Sequence, residues 1–238
     1  MYKSLSKYEK GGQSIVKIFI VNPNADRKFT EMIKIEALKV ISPGNDVVCK
    51  NAPNAPMFIG NHIDEILCGP GMLQLLRENE KDFDVFVLGC TCDVNIDIMR
   101  ETTEKPVVGI GESSMLAAMM LGGKFSVIQM GPRGISMKKR FIKNLGFDSR
   151  CASVRSININ GPGDMADKII VAARKAIVED GAEVITLGCA GLAGLAEKVS
   201  REIGIPVIDG IPYGIGFAEA LVTCGGKTSK KGLYGPSV

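Results

Sequence analysis

Short runs of apolar, β-branched residues alternate along the chain with longer stretches rich in alanine and leucine. The short runs predict strands at 15–21, 85–88, 107–110, 125–128, 184–187 and 207–208. The longer stretches predict helices, for example at 114–121, 166–179 and 192–203. This alternation favours parallel sheets covered by helices on both faces, which is the α/β class. The segment 45–60, rich in proline and asparagine, is expected to be irregular.

An internal repeat adds to this pattern. The sequence DVFVLGC at 84–90 returns as EVITLGC at 183–189, a Pro-Val strand follows each copy at 106 and 206, and Gly-Gly-Lys follows at 122–124 and 225–227. The repeat predicts two similar Rossmann-like lobes with parallel sheets, related by an approximate two-fold axis. We expect residues 1–14 to be a loose tail, residues 15–112 with 208–238 to form lobe 1, and residues 113–207 to form lobe 2.

Composition narrows the classes of function. Charged residues make up 23% of the chain and the formal net charge is +3, which argues against a nucleic-acid-binding or membrane-surface protein. The basic cluster at 138–140 is expected to be a solvated helix face. The apolar stretches fall short of the roughly 18 residues that a membrane helix needs, and the opening residues lack the apolar region of a signal peptide. We therefore expect a cytoplasmic protein that acts on a small molecule and forms a homo-oligomer.

Cysteine and histidine usage limits the chemistry further. The chain has seven cysteines, an odd number that favours reduced thiols over a disulfide framework. Its single histidine, His62, stands at an expected helix start and outside any metal-ligand spacing. Cys90 and Cys92 supply only two of the four ligands that a structural zinc needs. We therefore expect no metal and no cofactor, and proton transfer by groups other than histidine.

Cys90 and Cys189 occupy the same position in the two copies of the repeat, directly after a strand and a glycine. Ligands of open α/β sheets bind at the carboxyl ends of the strands. A helix N-terminus beside each thiol is expected to lower its pKa, and free N–H groups there are expected to hold a developing enolate. Two facing lobes would bring the thiols to opposite walls of one cleft. That arrangement suits stereoinversion, because one thiolate removes a proton from carbon and the other thiol returns a proton to the opposite face.

The other cysteines lack this equivalence. Cys92 has no counterpart after Cys189, and we interpret it as a residue that lines the pocket. Four more have no counterpart in the other copy and are interpreted as small hydrophobic residues: Cys49, Cys68, Cys151 and Cys224.

Several segments resemble the aspartate/glutamate racemase superfamily and, within it, the hydantoin and allantoin racemases. They are VNPNAD at 21–26, LGCTCD at 88–93, PVVGIGE at 106–112, RCASVR at 150–155, LGCAGLAGLAE at 187–197, PVIDG at 206–210 and TSKKGLYGP at 228–236. The segments extend over nearly the whole chain after residue 15. The resemblance implies two α/β lobes with the active site in the cleft between them. It also implies Cys90 and Cys189 as an acid/base pair that works without metal or pyridoxal phosphate.

The resemblance further implies which residues bind the substrate. Asn22, at the end of the first strand, is expected to reach it, although without the resemblance Asn22 would be an ordinary turn residue before Pro23. Backbone N–H groups beside the cysteines are expected to donate to the substrate oxygen. Four residues beside the cysteines are therefore candidates for substrate binding: Thr91, Cys92, Ala190 and Gly191.

Two segments depart from the family pattern. Thr91-Cys92-Asp93 replaces a glycine- or serine-containing run after the first cysteine, and Gln129-Met130 stands where a threonine pair is expected. Both segments are expected to face the cleft, so the substrate need not be an ordinary 5-substituted hydantoin.

The functional hypothesis is a cofactor-independent racemase of a 5-substituted hydantoin or of allantoin. The related arylmalonate decarboxylases keep only the second cysteine, so the presence of Cys90 argues against decarboxylation. An aspartate- or glutamate-type amino-acid racemase is the alternative, with Arg100 and Arg133 as the nearest candidates to anchor a carboxylate. A two-lobed small-molecule binding protein without catalysis is the alternative from another class.

Overall fold

The computed structural model describes residues 9–10 and 13–236, with side chains from residue 15 onward. The strands of this part are β1 (Glu9–Lys10), β2 (Gln13–Ser14), β3 (Lys17–Asn22), β4 (Asp46–Asn51), β5 (Val85–Leu88), β6 (Val107–Gly109), β7 (Phe125–Met130), β8 (Cys151–Ile157), β9 (Val184–Leu187) and β10 (Val207–Ile208). The helices are α1 (Arg27–Val40), α2 (His62–Asn79), α3 (Ile96–Thr102), α4 (Ile110–Leu121), α5 (Arg133–Asn144), α6 (Met165–Asp180), α7 (Ala196–Ile203) and α8 (Gly210–Thr223). Helix α2 begins at His62, as the sequence predicts, because the Asn61 side chain caps its first turn.

Two four-stranded parallel sheets form the centre of the fold. The first has the strand order β4-β3-β5-β6 and the second has the order β8-β7-β9-β10, so equivalent strands take equivalent places. Strands β5 and β9 are buried at every position, which explains why both read as continuous apolar runs. The predicted α/β class with two similar lobes is confirmed.

Helices cover both faces of each sheet. On the first sheet, α1 and α8 bury one face while α2 and α3 bury the other. On the second sheet, α6 and α7 bury one face while α4 and α5 bury the other. Each layer is apolar, with side chains such as Phe19 and Phe125 fully buried, and burial of one such side chain contributes about 1.5–3 kcal/mol.

The last helix returns to the first sheet. Strand β10 pairs with β9 in the second sheet, yet α8 packs against β5, β6 and α1. Beyond α8 the chain stays on the first lobe, where Thr228 Oγ1 donates to the Lys105 carbonyl at 2.7 Å and the Tyr234 hydroxyl donates to Asp97 at 2.8 Å. The boundaries given above for the two lobes stay a prediction.

Two segments differ from the sequence-based expectation. The segment 45–60 is not irregular throughout, because 46–51 form β4, an edge strand that pairs with β3 alone and buries Val47. Within 1–14, Glu9–Lys10 pairs with Gln13–Ser14 as a short antiparallel ladder. The rest of the expected loose tail lies outside the described residues.

The basic cluster at 138–140 is only partly a solvated face. Lys139 and Arg140 are exposed, but Lys138 is 1% exposed, so that expectation is wrong at Lys138. The reason is helical spacing: Lys138 lies three residues after Ile135 and four before Ile142, on the face of α5 that packs on the second sheet.

Among the described residues, no helix combines the length and apolar character needed to cross a membrane. The cytoplasmic location and the homo-oligomeric state stay predictions.

Candidate active site

The two cysteine loops leave their sheets at equivalent points. The N–H groups of Gly89 and Gly188 donate to the neighbouring strand, to the carbonyls of Val21 and Ile128, at 2.9 and 2.8 Å. A Cβ at Gly188 would lie only 2.4 Å from the side-chain oxygen of Gln129. Glycine before the cysteine therefore allows a close approach between β7 and the end of β9.

Thr91 joins the two loops. It directly follows Cys90, and its hydroxyl donates to the carbonyl of Gly188, which directly precedes Cys189. Thr91 is buried, so water does not compete for this hydrogen bond. The contact brings together the two loops that carry the equivalent cysteines.

The helices that follow β3 and β7, α1 and α5, each pack against the cysteine loop that leaves the other sheet. In α1 the Phe29 ring would lie 2.8 Å from a Cβ at Gly191, within the loop after Cys189. In α5 the ammonium group of Lys138 donates to the carbonyl of Thr91, in the loop after Cys90. Both loops are therefore enclosed at the boundary between the two lobes.

Burial raises the pKa of both thiols above the ordinary cysteine value. At Cys90 the next largest cause is the neighbouring thiol of Cys92, which also raises the pKa. At Cys189 the next cause lowers it, because the N–H of Gly191 donates to Sγ at 3.4 Å. The positive charge of Lys138 lowers the pKa of both thiols by less than burial raises it.

The expectation that helix N-termini lower the two pKa values is therefore wrong. After Cys90 the chain makes a turn, and α3 begins only at Ile96. After Cys189 the helical segment is a single 3-10 turn at Ala190–Leu192. Because the helix dipole grows with aligned peptide units, these short segments do not offset the loss of hydration of a buried thiolate.

Asp93 fixes the first cysteine loop to the N-terminus of α4. Its carboxylate accepts the N–H groups of Gly111 and Glu112 at 2.9 and 2.7 Å. Burial, and then the charge of Glu112, raises the pKa of Asp93 to about 7 in spite of these donors. In the second copy of the repeat, Asp209 caps α8 and accepts the N–H of Gly194 at 2.9 Å. Each cysteine loop is thus held by the helix that follows the next strand.

Two amide side chains occupy equivalent places at the ends of β3 and β7. Asn22 is fully buried, and its Nδ2 donates to Thr30 Oγ1 at 2.9 Å and to Asn24 Oδ1 at 3.1 Å. Gln129 is 9% exposed, but its Oε1 has no hydrogen-bond partner among the described residues. The substitution that the sequence marks as a departure therefore places an unpaired acceptor beside Gly188.

The other candidates differ in how far they contribute. Cys92 and Ala190 are partly buried beside the two cysteines. Arg100 is engaged by Glu112 and by a carbonyl of β6, and Arg133 is exposed at the start of α5. The contacts described for these two arginines do not include the cysteine loops. Lys138, for which the sequence predicts a solvent-exposed side chain, does contact the loop after Cys90.

All seven cysteines are free thiols. Within residues 15–236, whose side chains are described, no three histidine, cysteine or acidic side chains are grouped as a metal site would require. The absence of a metal and of a cofactor stays a prediction.

The fold and the paired loops correspond to one known family. The family model described as Asp/Glu/Hydantoin racemase matches residues 18–218. The chain belongs to this family, and it is therefore an isomerase of the racemase class that acts on a small molecule.

Individual relatives narrow the comparison to one branch. The hydantoin racemase of Pseudomonas sp. (strain NS671) is 34% identical over 226 residues, covering 92% of this chain and 91% of that protein. The solved allantoin racemase from Klebsiella pneumoniae is 32% identical with a TM-score of 0.88, covering 94% of both chains. The allantoin racemase from Pseudomonas fluorescens is 30% identical with a TM-score of 0.87, covering 93% and 97%. The resemblance drawn from the motifs is confirmed.

Proposed function

We propose that this chain inverts the acidic ring carbon of a 5-substituted hydantoin or of allantoin, with Cys90 and Cys189 as the proton-transfer groups and without a cofactor. One observation carries the proposal: the Thr91 hydroxyl binds the Gly188 carbonyl and so joins the two loops in which equivalent cysteines follow equivalent strands. The similarity to hydantoin and allantoin racemases supports the substrate class.

The reaction needs one charged and one neutral thiol. The thiolate of one cysteine takes the proton from the ring carbon, which forms an S–H bond and leaves an enolate on the substrate. The opposing thiol gives its proton to the other face of the same carbon, which forms the new C–H bond and a new thiolate. One proton leaves and one arrives, and the negative charge passes from one sulfur through the substrate to the other. The two thiols therefore titrate as a coupled pair.

Polar groups around the loops fit a ring with carbonyl and N–H groups. The backbone N–H of Thr91 is proposed to donate to the enolate oxygen. The N–H of Gly191 would do so only by giving up its hydrogen bond to Cys189 Sγ. Cys92 and Ala190 are proposed to line the ring. The unpaired Oε1 of Gln129 offers an acceptor for a ring N–H.

Asn22 would donate to the substrate only by giving up one of its internal hydrogen bonds. We therefore assign it to holding the loop after β3, where its amide ties Asn24 and Thr30 to the end of the strand.

An aspartate- or glutamate-type amino-acid racemase is the second candidate, and Lys138 favours it. A buried ammonium at the cysteine loops offers the cationic anchor that a substrate carboxylate needs. A non-catalytic binding protein is not supported, because the chain belongs to an enzyme family.

Deuterium exchange with a substrate panel tests the proposal. Single enantiomers of 5-substituted hydantoins, allantoin, aspartate and glutamate are incubated with the protein in D₂O, and loss of optical rotation is followed together with loss of the α-proton by NMR. We expect both changes for a hydantoin-type ring, and a loss of at least about 10²-fold in Cys90→Ala and Cys189→Ala. The matched control is Cys224→Ala, which removes an exposed thiol at the end of α8.

Three results would count against the proposal. Racemisation of free aspartate or glutamate but not of hydantoins would transfer the assignment to the second candidate. Full racemisation in either cysteine variant would remove the two-thiol mechanism while leaving the racemase class intact. Absence of turnover across the whole panel would exclude these substrates.

A further inference from the structure

Lys138 is a buried cation between the two cysteine loops. It is 1% exposed, and its ammonium group donates to the Thr91 carbonyl. The Phe141 ring lies 5.2 Å from its Nζ. An ammonium group has three N–H donors, and among the described residues the Thr91 carbonyl is the one hydrogen-bond acceptor recorded for them. A buried charge with donors to spare is costly unless anionic groups lie close to it.

Anionic or ionisable groups face this cation from both lobes. From the first cysteine loop they are Cys90 and Asp93, and from the second loop Cys189. Glu112 of α4 acts on Asp93 and is paired with Arg100. On its own helix the neighbouring charges, Lys139 and Arg140, point to solvent.

The position of Lys138 matches the path of charge in the proposed reaction. The negative charge begins on one sulfur, passes to the substrate and ends on the other sulfur. The Thr91 carbonyl that holds the ammonium belongs to a residue that follows Cys90 and binds Gly188 next to Cys189. One fixed cation therefore serves both directions of a reversible proton exchange, which a cation beside one thiol alone would not.

We propose that Lys138 is a positioning residue of the cleft. Its positive charge stabilises one negative charge there, first on the ionised thiol, then on the enolate, and finally on the other thiol. The inference rests on the proposed function for its role in turnover. The effect of Lys138 on the thiols themselves is independent of any substrate.

Thiol alkylation in the free protein tests this electrostatic role. The rate of reaction of Cys90 and Cys189 with iodoacetamide is measured from pH 7 to 10.5 and resolved by mass spectrometry, because only the thiolate reacts. Below the thiol pKa the rate follows the thiolate fraction, so Lys138→Met is expected to slow the alkylation of both cysteines roughly tenfold at pH 8.5, which corresponds to a rise of about one unit in pKa. Lys138→Arg keeps the charge and is expected to keep the profile within about half a unit. Lys139→Met removes a charge from the solvent face of the same turn and is expected to leave the profile unchanged.

Lys138→Gln separates the charge from the hydrogen bond. Its amide can still donate to the Thr91 carbonyl, so a purely structural lysine predicts wild-type behaviour, whereas the electrostatic role predicts the behaviour of Lys138→Met. Circular dichroism establishes that each variant is folded, and if Lys138→Met is not, the comparison of Lys138→Gln with Lys138→Arg decides. Unchanged alkylation profiles in folded Lys138→Met or Lys138→Gln would overturn the proposal.

Turnover supplies the second readout. With the substrate found in the panel, Lys138→Met and Lys138→Gln are expected to lower kcat by at least about tenfold, with a smaller change in KM. If the cysteine variants retain full racemisation, the two-thiol function is lost, but a shifted alkylation profile still supports the charge effect of Lys138. If the cysteine variants are inactive and the alkylation profile does not move, the two-thiol function stands and the inference about Lys138 falls.

Discussion

At the scale of single residues, the two thiols start from an unfavourable position for proton abstraction. Burial raises the pKa of Cys90 and of Cys189, so at pH 7 both are mostly protonated. The N–H of Gly191 and the charge of Lys138 oppose this effect without cancelling it. A thiolate formed against such a cost is a stronger base than an exposed one, which suits the removal of a proton from carbon.

The raised thiol pKa values predict the pH dependence of turnover. Below both values the thiolate fraction increases tenfold per pH unit, so kcat/KM for racemisation is expected to rise steadily from pH 6.5 to 8.5. Initial rates across that range measure it, with the rate in the Cys189→Ala variant subtracted to remove racemisation by hydroxide. A profile that is flat or falls between pH 6.5 and 8 would show that the reacting thiolate is already formed at neutral pH.

Asp93 predicts a second pH effect, on stability. Its pKa of about 7 in the folded protein lies above its value of 3.8 in the unfolded chain, so the folded state binds the proton more tightly. The stability that this proton contributes is complete below pH 4 and is lost as the pH rises through 7, at about 1.4 kcal/mol per unit. The free energy of unfolding should therefore fall by about 2 kcal/mol between pH 5 and 7.

Comparison with Asp93→Asn isolates this contribution. The variant cannot titrate at this position, so the difference between its pH profile and that of the wild type should show the fall between pH 5 and 7. Urea unfolding at each pH provides the free energies. Parallel profiles for the two proteins would mean that the Asp93 carboxyl is ionised throughout this range.

The sequence identifies some site residues and not others for a physical reason. Cys90 and Cys189 are predictable because the repeat fixes both of them at the ends of equivalent strands. Lys138 is not, because its contact with Thr91 crosses from one lobe to the other and leaves no local signal except its place among apolar residues of α5. The pKa shifts of the thiols were predicted in the wrong direction because burial depends on the packing of both lobes.

At the scale of elements, α4 and α8 meet at their first residues. A Cβ at Gly210 would lie 2.3 Å from the backbone oxygen of Ile110, so the two helices approach each other through glycine. This contact joins the helix that covers the second sheet to the helix that covers the first. The Asp209 side chain, one residue earlier, accepts the N–H of Ile211 and sets where α8 begins.

Replacement of Gly210 by a larger residue is expected to lower the free energy of unfolding. Gly210→Ala forces a backbone atom to move, so the free energy of unfolding is expected to fall by about 1–3 kcal/mol. Gly216→Ala lies in the same helix with no atom within 4 Å of the added Cβ, and is expected to raise it by up to about 1 kcal/mol. Chemical denaturation of both variants measures the contrast, and equal effects would mean that α4 and α8 separate easily.

Strand prediction also has a clear physical limit. Strands β5, β7 and β9 are predictable because strands buried on both faces read as continuous apolar runs. Strand β4 is not, because at the edge of the sheet only Val47 is buried and the strand carries Asp46, Lys50 and Asn51. Its strand conformation is set by pairing with β3, which the local sequence does not encode.

At the scale of the whole molecule, the two lobes are interlocked. Helix α4 contacts β6 of the first sheet and β7, β9 and β10 of the second. Helix α1 packs against the 3-10 turn after Cys189, and α5 reaches Thr91. Contacts of this kind, spread over several elements of both lobes, favour unfolding as one unit.

We therefore expect a single cooperative transition for both sheets. Hydrogen exchange with mass spectrometry at increasing urea should give the same free energy of opening for peptides that cover β5 and β9. Loss of protection in one sheet at clearly lower urea than in the other would show that the lobes unfold independently.

The return of α8 to the first sheet also sets an order of events on the ribosome. The strands of that sheet emerge first, but the helix that carries Ile211, Ile215 and Ala218 onto them emerges after the entire second sheet. The face that α1 and α8 share is thus only partly covered, by α1, while about a hundred further residues are translated. The second sheet is translated later than the first, yet all of its strands and helices are complete before α8 covers the first sheet.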